Sequence, residues 1–203
     1  NSGAVTIVNI CGTTIEEYEE LTRILSDVEG VAAIELNISC PNIKAGGITF
    51  GCNLAGTHDV VQAAKRATHL PVIPKLTPNV TDIASFARVA EEAGADAVSL
   101  VNTFLAMSID VETRRSRLAN VVGGLSGPAI RPIAVRMVYE CHQAVSIPII
   151  GMGGITTAND VLEFMIAGAS AVQVGTANFV DPYIWKKLMI GLNDYLEKHE
   201  IKR

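Results

Sequence analysis

The chain has 203 residues, of which 49% are hydrophobic and 18% charged, and its formal net charge is −5. This is the composition of an ordinary globular domain, and because no basic run occurs, it does not favour nucleic-acid binding through phosphate neutralisation. The apolar stretches are shorter than the ~18 residues of a membrane span, and four cysteines without CxxC spacing predict a reduced, cytoplasmic chain with no metal site.

Short apolar strands alternate with helices along the chain. The predicted strands cover residues 5–10, 32–38, 71–76, 97–101, 147–151 and 171–174. The predicted helices cover residues 13–28, 53–68, 81–93, 127–144, 158–167 and 181–199. Thr14 and Thr81 are the expected N-caps of the first and third helices, and Glu17 follows Thr14 at capping-box spacing. A glycine-rich loop at 41–51 and a long loop at 102–126 separate some of these elements.

Six strand–helix units in a row predict a parallel sheet with right-handed crossovers. An open doubly wound sheet and a (β/α)₈ barrel both fit this alternation. Polar residues at four successive strand ends favour the barrel, where such ends converge on one site: Asn9, Asn37, Lys75 and Asn102. We therefore expect residues 1–203 to form a single domain that supplies about six βα units of a TIM barrel, strands 3–8.

Glycines at successive strand–helix turns predict a phosphate site. Gly153 and Gly154 follow the fifth predicted strand, Gly175 and Thr176 follow the sixth, and Gly127 opens the helix before them. Glycine lets the backbone N–H groups approach a phosphate closely, as in the phosphate sites of many barrels. Tight turns that require a positive φ explain the same glycines, and this alternative stays open.

Cys40 and Lys75 are the two residues whose positions suggest chemistry. Cys40 follows a predicted strand end and precedes the glycine-rich loop, so its thiol is a candidate base or nucleophile beneath a segment able to close over a substrate. Lys75 lies inside an apolar strand, where an unpaired ammonium is rare. It requires an anionic or carbonyl partner, and a cofactor ring or a phosphate could supply one.

Seven motifs resemble, in the same order, those of the class 1 dihydroorotate dehydrogenases. They are NISCPN (37–42), GGITFG (46–51), the lysine of IPKL (75), VNT (101–103), GGLSGPAI (123–130), GMGGI (151–155) and QVGTA (173–177). GGLSGPAI and GGITFG are most similar to the B-type catalytic subunit. The resemblance extends from one end of the chain to the other.

This resemblance implies oxidation of (S)-dihydroorotate to orotate in de novo pyrimidine biosynthesis, with FMN as cofactor. In the family, the cysteine at the position of Cys40 takes the C5 proton and flavin N5 takes the C6 hydride. The family's substrate contacts fall on Asn37, Asn102 and Thr103. Its flavin contacts fall on Asn9, Asn37, Lys75, Val101, Gly127, Gly153, Gly154, Gly175 and Thr176.

The B type also implies partners. Its catalytic subunits form a homodimer and associate with a subunit that carries FAD and a 2Fe–2S cluster and passes electrons to NAD. This chain lacks a cluster-type cysteine set, so such a centre would lie on the partner. The A type uses fumarate, and the residues leave the electron acceptor open. The family has about two more βα units before Asn1, and without them we expect exposed sheet edges and no stable, active enzyme.

Three other functions remain open from the sequence. A related flavin barrel acts on dihydropyrimidines, but we expect His in that relative where this chain has Asn42. A flavin-free phosphate-binding isomerase or synthase accounts for the glycine pairs but not for Cys40 or Lys75. A non-catalytic scaffold is disfavoured by the intact cysteine and its glycine-rich loop.

Overall fold

The computed structural model describes residues 3–39 and 50–201. In chain order the strands are β1 (Thr6–Ile10), β2 (Val31–Asn37), β3 (Val72–Leu76), β4 (Val98–Leu100), β5 (Phe104–Met107), β6 (Ile109–Asp110), β7 (Arg115–Ser116), β8 (Val122–Leu125), β9 (Ile149–Met152) and β10 (Ala171–Gln173). The helices are α1 (Ile15–Ser26), α2 (Leu54–Ala67), α3 (Ile83–Glu92), α4 (Arg131–His142), α5 (Ala158–Ile166), α6 (Ala177–Val180) and α7 (Ile184–Lys198).

One parallel sheet contains six of these strands, in the order β1-β2-β3-β4-β9-β10. The central strands carry buried apolar side chains on both faces. Ile34 and Leu36 lie on one face of β2 and Ala33 on the other, and Val98 and Leu100 lie on one face of β4 while Ala97, directly before this strand, lies on the other. A strand covered on both faces shows this continuous apolar pattern rather than an alternating one. All six strands predicted from the sequence are therefore present, with bounds that differ by at most two residues.

The sheet is curled rather than flat. The Gln173 side chain on β10 donates a hydrogen bond to Glu35 on β2 over 2.9 Å, although three strands lie between them in the sheet. The two side chains can meet only if the sheet curves enough to bring β2 and β10 to face each other across its concave side. The structure confirms the barrel expectation over the open sheet: the fold is a partial (β/α)₈ barrel.

Helix starts follow local capping chemistry. The Thr14 hydroxyl accepts a hydrogen bond from the Glu17 N–H over 3.2 Å, as predicted. The Glu17 carboxylate, however, accepts from the N–H of Thr13 rather than of Thr14. The Thr81 prediction was wrong by one residue, because the carboxylate of Asp82 accepts from the Ser85 N–H and caps α3. An Asx side chain is as effective an N-cap as threonine, so the sequence pattern alone does not choose between neighbours.

The predicted loop 102–126 is not irregular. It contains two antiparallel pairs, β5 with β8 and β6 with β7. The predicted helix 127–144 begins with a 3₁₀ turn at Pro128–Ile130 before α4, and the short α6 precedes α7. Within residues 3–39 and 50–201, no helix is long and apolar enough to cross a membrane.

Candidate functional site

A cavity of about 750 Å³ opens at the carboxyl ends of β3, β4, β9 and β10. This is the end of a parallel barrel at which the strand–helix loops build ligand sites, and the volume is within the ~300–1,000 Å³ range of cofactor and small-molecule pockets. Nine of the residues predicted from the sequence line it: Lys75, Val101, Asn102, Thr103, Gly127, Gly153, Gly154, Gly175 and Thr176.

The other predicted residues have different positions. Asn9 and Asn37 lie outside the lining of this cavity: Asn37 contacts the lining residue Asn102, whereas Asn9 contacts Glu35, which does not line the cavity either. The Asn9 amide donates to Glu35 over 2.6 Å, and Asn37 accepts a hydrogen bond from the Asn102 amide over 3.0 Å. Cys40 lies outside the described residues, so its assignment as the base stays a prediction.

Two glycine turns pack directly against each other at the cavity wall. Gly127 and Gly154 have φ values of +88° and +75°, which only glycine adopts readily. A Cβ on Gly154 would lie 2.6 Å from the carbonyl oxygen of Gly127 and 2.9 Å from the Cα of Pro128. Both the backbone conformation and the close approach therefore require glycine at position 154.

The third glycine turn differs. A Cβ on Gly175 would meet no protein atom within 4 Å, although Gly175 lines the cavity and its backbone is not in the left-handed region. Neither backbone strain nor protein packing accounts for this glycine. Beside it, the hydroxyls of Ser126 and Thr176 are 2.8 Å apart and join the two loops. Ser126 was not singled out in the sequence because a serine in a glycine-rich loop carries no pattern of its own.

Substitution of Gly154 by alanine is expected to destabilise the folded protein. Forcing alanine into this conformation costs about 1–3 kcal/mol, and the clash with the Gly127 carbonyl adds to it. Chemical denaturation of the unliganded protein measures the loss of unfolding free energy. Gly175→Ala is the matched control and should retain the stability of the unmodified protein; equal stability of both variants would contradict the packing argument.

Glu35 is a functional candidate that the sequence analysis missed. It is 4% exposed, and its carboxylate accepts hydrogen bonds from Asn9, Ser99 and Gln173. The ammonium of Lys75 lies 3.9 Å from its second oxygen. The anionic partner that Lys75 requires is thus supplied by the protein itself. An acidic residue within the apolar strand AAIELNI was the signal that could have revealed it.

The loop that begins at Asn102 is fixed by polar contacts. The Asn102 side chain accepts from the Thr103 N–H over 2.8 Å. Asn79, which the sequence analysis also missed, donates to the Thr103 carbonyl over 3.0 Å and accepts from the Leu105 N–H over 2.9 Å. A Cβ on Gly124 of β8 would lie 2.4 Å from the Thr103 hydroxyl oxygen. The β5–β8 pair therefore holds Thr103 at the cavity edge.

Two of the described cysteines, Cys52 and Cys141, lie in environments that disfavour a thiolate. Burial raises the pKa of the Cys141 thiol to about 12, and the neighbouring Glu140 carboxylate adds to the shift. Partial burial also raises the pKa of Cys52. A raised thiol pKa reduces the thiolate population at neutral pH, which disfavours both residues as bases.

Cys141 is expected to make the protein less stable in alkali. Its thiol ionises near its ordinary value of 9.0 when unfolded but near 12 when folded, so its contribution to stability is present below pH 9 and lost as pH rises toward 12. The unfolding free energy of Cys141→Ala should therefore fall less steeply over this interval than that of the unmodified protein. Parallel pH dependences would contradict the buried, protonated thiol.

Comparisons with known proteins agree with this geometry. The family model described as dihydroorotate dehydrogenase matches residues 3–196. The chain is 54% identical over 196 residues to the dihydroorotate dehydrogenase B (NAD⁺) catalytic subunit of Bacteroides fragilis, covering 97% of this chain and 65% of that protein. It is 54% identical over 195 residues to the same subunit of Desulforamulus reducens, covering 96% and 64%.

A solved structure shows the same fold. The crystal structure of DHODH in complex with ferulenol from Eimeria tenella superposes with a TM-score of 0.76 and 23% identity, over 92% of this chain and 55% of that one. This chain thus spans about two-thirds of the length of the curated relatives it matches. The family-model match and the identity to these relatives establish that the chain belongs to the dihydroorotate dehydrogenase family.

Proposed function

We propose that the protein oxidises dihydroorotate to orotate, with FMN as its cofactor, in pyrimidine biosynthesis. The observation that carries the proposal is one cavity that combines a glycine-walled end with Lys75 and the Asn102–Thr103 loop. The buried Glu35 carboxylate lies behind Lys75, outside the cavity lining. We further propose that residues 1–203 belong to a single domain and contribute about six of its eight βα units.

The residues present fit a phosphate-bearing flavin. Gly175 leaves open space where any side chain would intrude, and beside it the hydrogen-bonded hydroxyls of Ser126 and Thr176 leave one O–H that can donate to a ligand. The backbone at Gly153 and Gly154 completes this wall, and Gly127 packs against it. These residues would hold the phosphate, because glycine turns expose backbone N–H groups to an anion. When bound, FMN would supply the hydride acceptor that amino-acid side chains lack.

The other end of the cavity would face the flavin ring and the substrate. Lys75 presents a positive charge, which would stabilise electron density gained by a cofactor ring. Asn102 and Thr103 supply donors and acceptors suited to a pyrimidine ring and its carboxylate, and Asn37 and Asn9 would add amide contacts. Cys40 would take the C5 proton. It follows Ser39, whose hydroxyl donates to the Lys75 carbonyl over 3.0 Å, so the chain just before Cys40 is anchored beside the cavity lining.

The electron acceptor is proposed from the relatives, whose names specify NAD⁺ and a catalytic subunit. A catalytic subunit has at least one partner subunit. We propose that this partner carries FAD and a 2Fe–2S cluster, that the catalytic subunits form a homodimer, and that the assembly is cytoplasmic.

The decisive experiment uses the protein expressed from its complete natural coding sequence. The purified protein should be yellow and release FMN on denaturation. Anaerobic addition of dihydroorotate should bleach the flavin and yield orotate, while dihydrouracil should leave it oxidised. Bleaching by dihydrouracil alone would instead favour a dihydropyrimidine enzyme, and a colourless protein that binds sugar phosphates would favour a flavin-free barrel.

A further inference from the structure

A buried carboxylate connects both edges of the sheet to the cavity lysine. Glu35 lies on β2, and its partners come from four other strands of the sheet. One oxygen, Oε1, accepts from Ser99 over 2.7 Å and from Gln173 over 2.9 Å. The other, Oε2, accepts from Asn9 over 2.6 Å and faces the ammonium of Lys75 at 3.9 Å.

The Glu35 carboxylate acts only as a hydrogen-bond acceptor. An ionised carboxylate only accepts hydrogen bonds, and each of its four neighbours offers a donor. Glu35 therefore fixes the orientation of both amides: the Asn9 and Gln173 NH₂ groups point toward it, which leaves their carbonyl oxygens free to face elsewhere. A glutamine at this position would carry no charge and would present one NH₂ group to a neighbour that is itself a donor.

The Lys75 ammonium is held on the side of Glu35. Its side chain is 21% exposed, whereas that of Glu35 is 5% exposed. The lysine therefore reaches the cavity wall while its counter-ion stays behind it. Removing one member of a buried charge pair leaves the other without compensation, and a flexible four-carbon side chain then moves to another partner or to water.

We infer that Glu35 is a positioning residue that keeps the Lys75 ammonium against the flavin. The inference rests on the proposed function and deepens it, because it assigns a residue that does not line the cavity to the control of one that does. Glu35 affects the stability of the reduced flavin only by holding the Lys75 ammonium in place. Three hydrogen bonds, from Asn9, Ser99 and Gln173, hold the carboxylate in place, so the loss of one of them still leaves two.

The test is a double-mutant cycle on the flavin midpoint potential, measured spectroelectrochemically in the complete FMN-loaded protein without substrate. The four proteins are the unmodified one, Glu35→Gln, Lys75→Met and the double variant. With Glu35 present, Lys75→Met is expected to reduce the ratio of reduced to oxidised flavin at least tenfold, a change of ~30 mV for a two-electron couple. With Gln at position 35, the same lysine substitution should change the ratio by less than threefold.

Two further variants keep the cycle informative. Ser99→Ala removes one hydrogen bond to the same carboxylate but keeps the charge, and the full effect of Lys75→Met should persist in it. Glu35→Asp keeps the charge but shortens the side chain, so it replaces Glu35→Gln if that variant loses flavin and should give an intermediate effect. An equal or larger lysine effect with Gln at position 35 would overturn the inference alone. An unmodified protein that binds no flavin would overturn both the inference and the proposed function.

Discussion

Replacing Cys40 with serine is expected to slow reduction of the flavin by dihydroorotate by roughly 10²–10⁴-fold, the usual contribution of a general base. A serine hydroxyl is a far weaker acid than a thiol, so at neutral pH it offers almost no anionic base. Anaerobic stopped-flow mixing measures the bleaching rate. In the unmodified protein, the rate should rise with pH through a thiol-like pKa, and this rise should be absent from the variant.

Cys52→Ser is the matched control for that substitution. Cys52 follows the same glycine-rich segment, and burial raises the pKa of its thiol, which leaves little thiolate at neutral pH to act as a base. Its replacement should leave both the rate and its pH dependence unchanged. Equal bleaching rates in the Cys40→Ser variant and the unmodified protein would remove Cys40 from the mechanism, while the proposals of FMN binding and substrate oxidation would still stand.

Gly175→Ala is expected to weaken FMN binding without weakening the protein. The added methyl group would meet no protein atom within 4 Å, so the unfolding free energy should stay constant or rise by about 0.4–1 kcal/mol. The same methyl group would occupy space proposed for the phosphate. Crowding of a fitted site costs about 1–3 kcal/mol, which corresponds to a dissociation constant roughly 5–150-fold higher. Fluorescence titration of the apoprotein with FMN measures it.

Gly56→Ala on α2 is the control for a glycine substitution away from the cavity. Its Cβ would make only ordinary contact, 3.4 Å from Phe50, and alanine is the better helix former. FMN affinity should not change. An unchanged affinity in Gly175→Ala as well would indicate that the phosphate lies elsewhere and that the open space at this turn has no ligand role.

The strand–helix alternation was predictable because it depends on local apolar patterns. Strands buried on both faces have short continuous apolar runs, and all six were found. The strands within segment 102–126 were not predicted. The β5–β8 pair contains two consecutive glycines and its apolar side chains are largely exposed, so this segment lacks the apolar pattern of a core strand. The cap of α3 was displaced to Asp82 because Thr81 and Asp82 are both good caps.

The residues that line the cavity were predictable where their type differs from that of the neighbouring residues in the sequence. Glycine pairs after strands and a lysine inside an apolar strand are visible in the sequence, and these residues share one cavity. The partners that hold them were less visible. Glu35 and Gln173 are 138 positions apart, and nothing local in either strand indicates that the two side chains meet. Long-range pairing depends on how far the sheet curls, which is a property of the whole fold.

The contact between Glu35 and Gln173 also has a consequence for the order of events during synthesis. At about 5–20 residues per second, β2 leaves the ribosome roughly 7–28 s before β10, because Glu35 and Gln173 are 138 residues apart. During that interval the carboxylate lacks its last donor, and a contact of such sequence separation forms late. The Lys75 side of the cavity and the Gly175 turn are therefore both complete only after β10 has docked. A nascent chain halted before β10 is expected to retain no flavin, so the cofactor would enter a finished fold rather than guide an unfinished one.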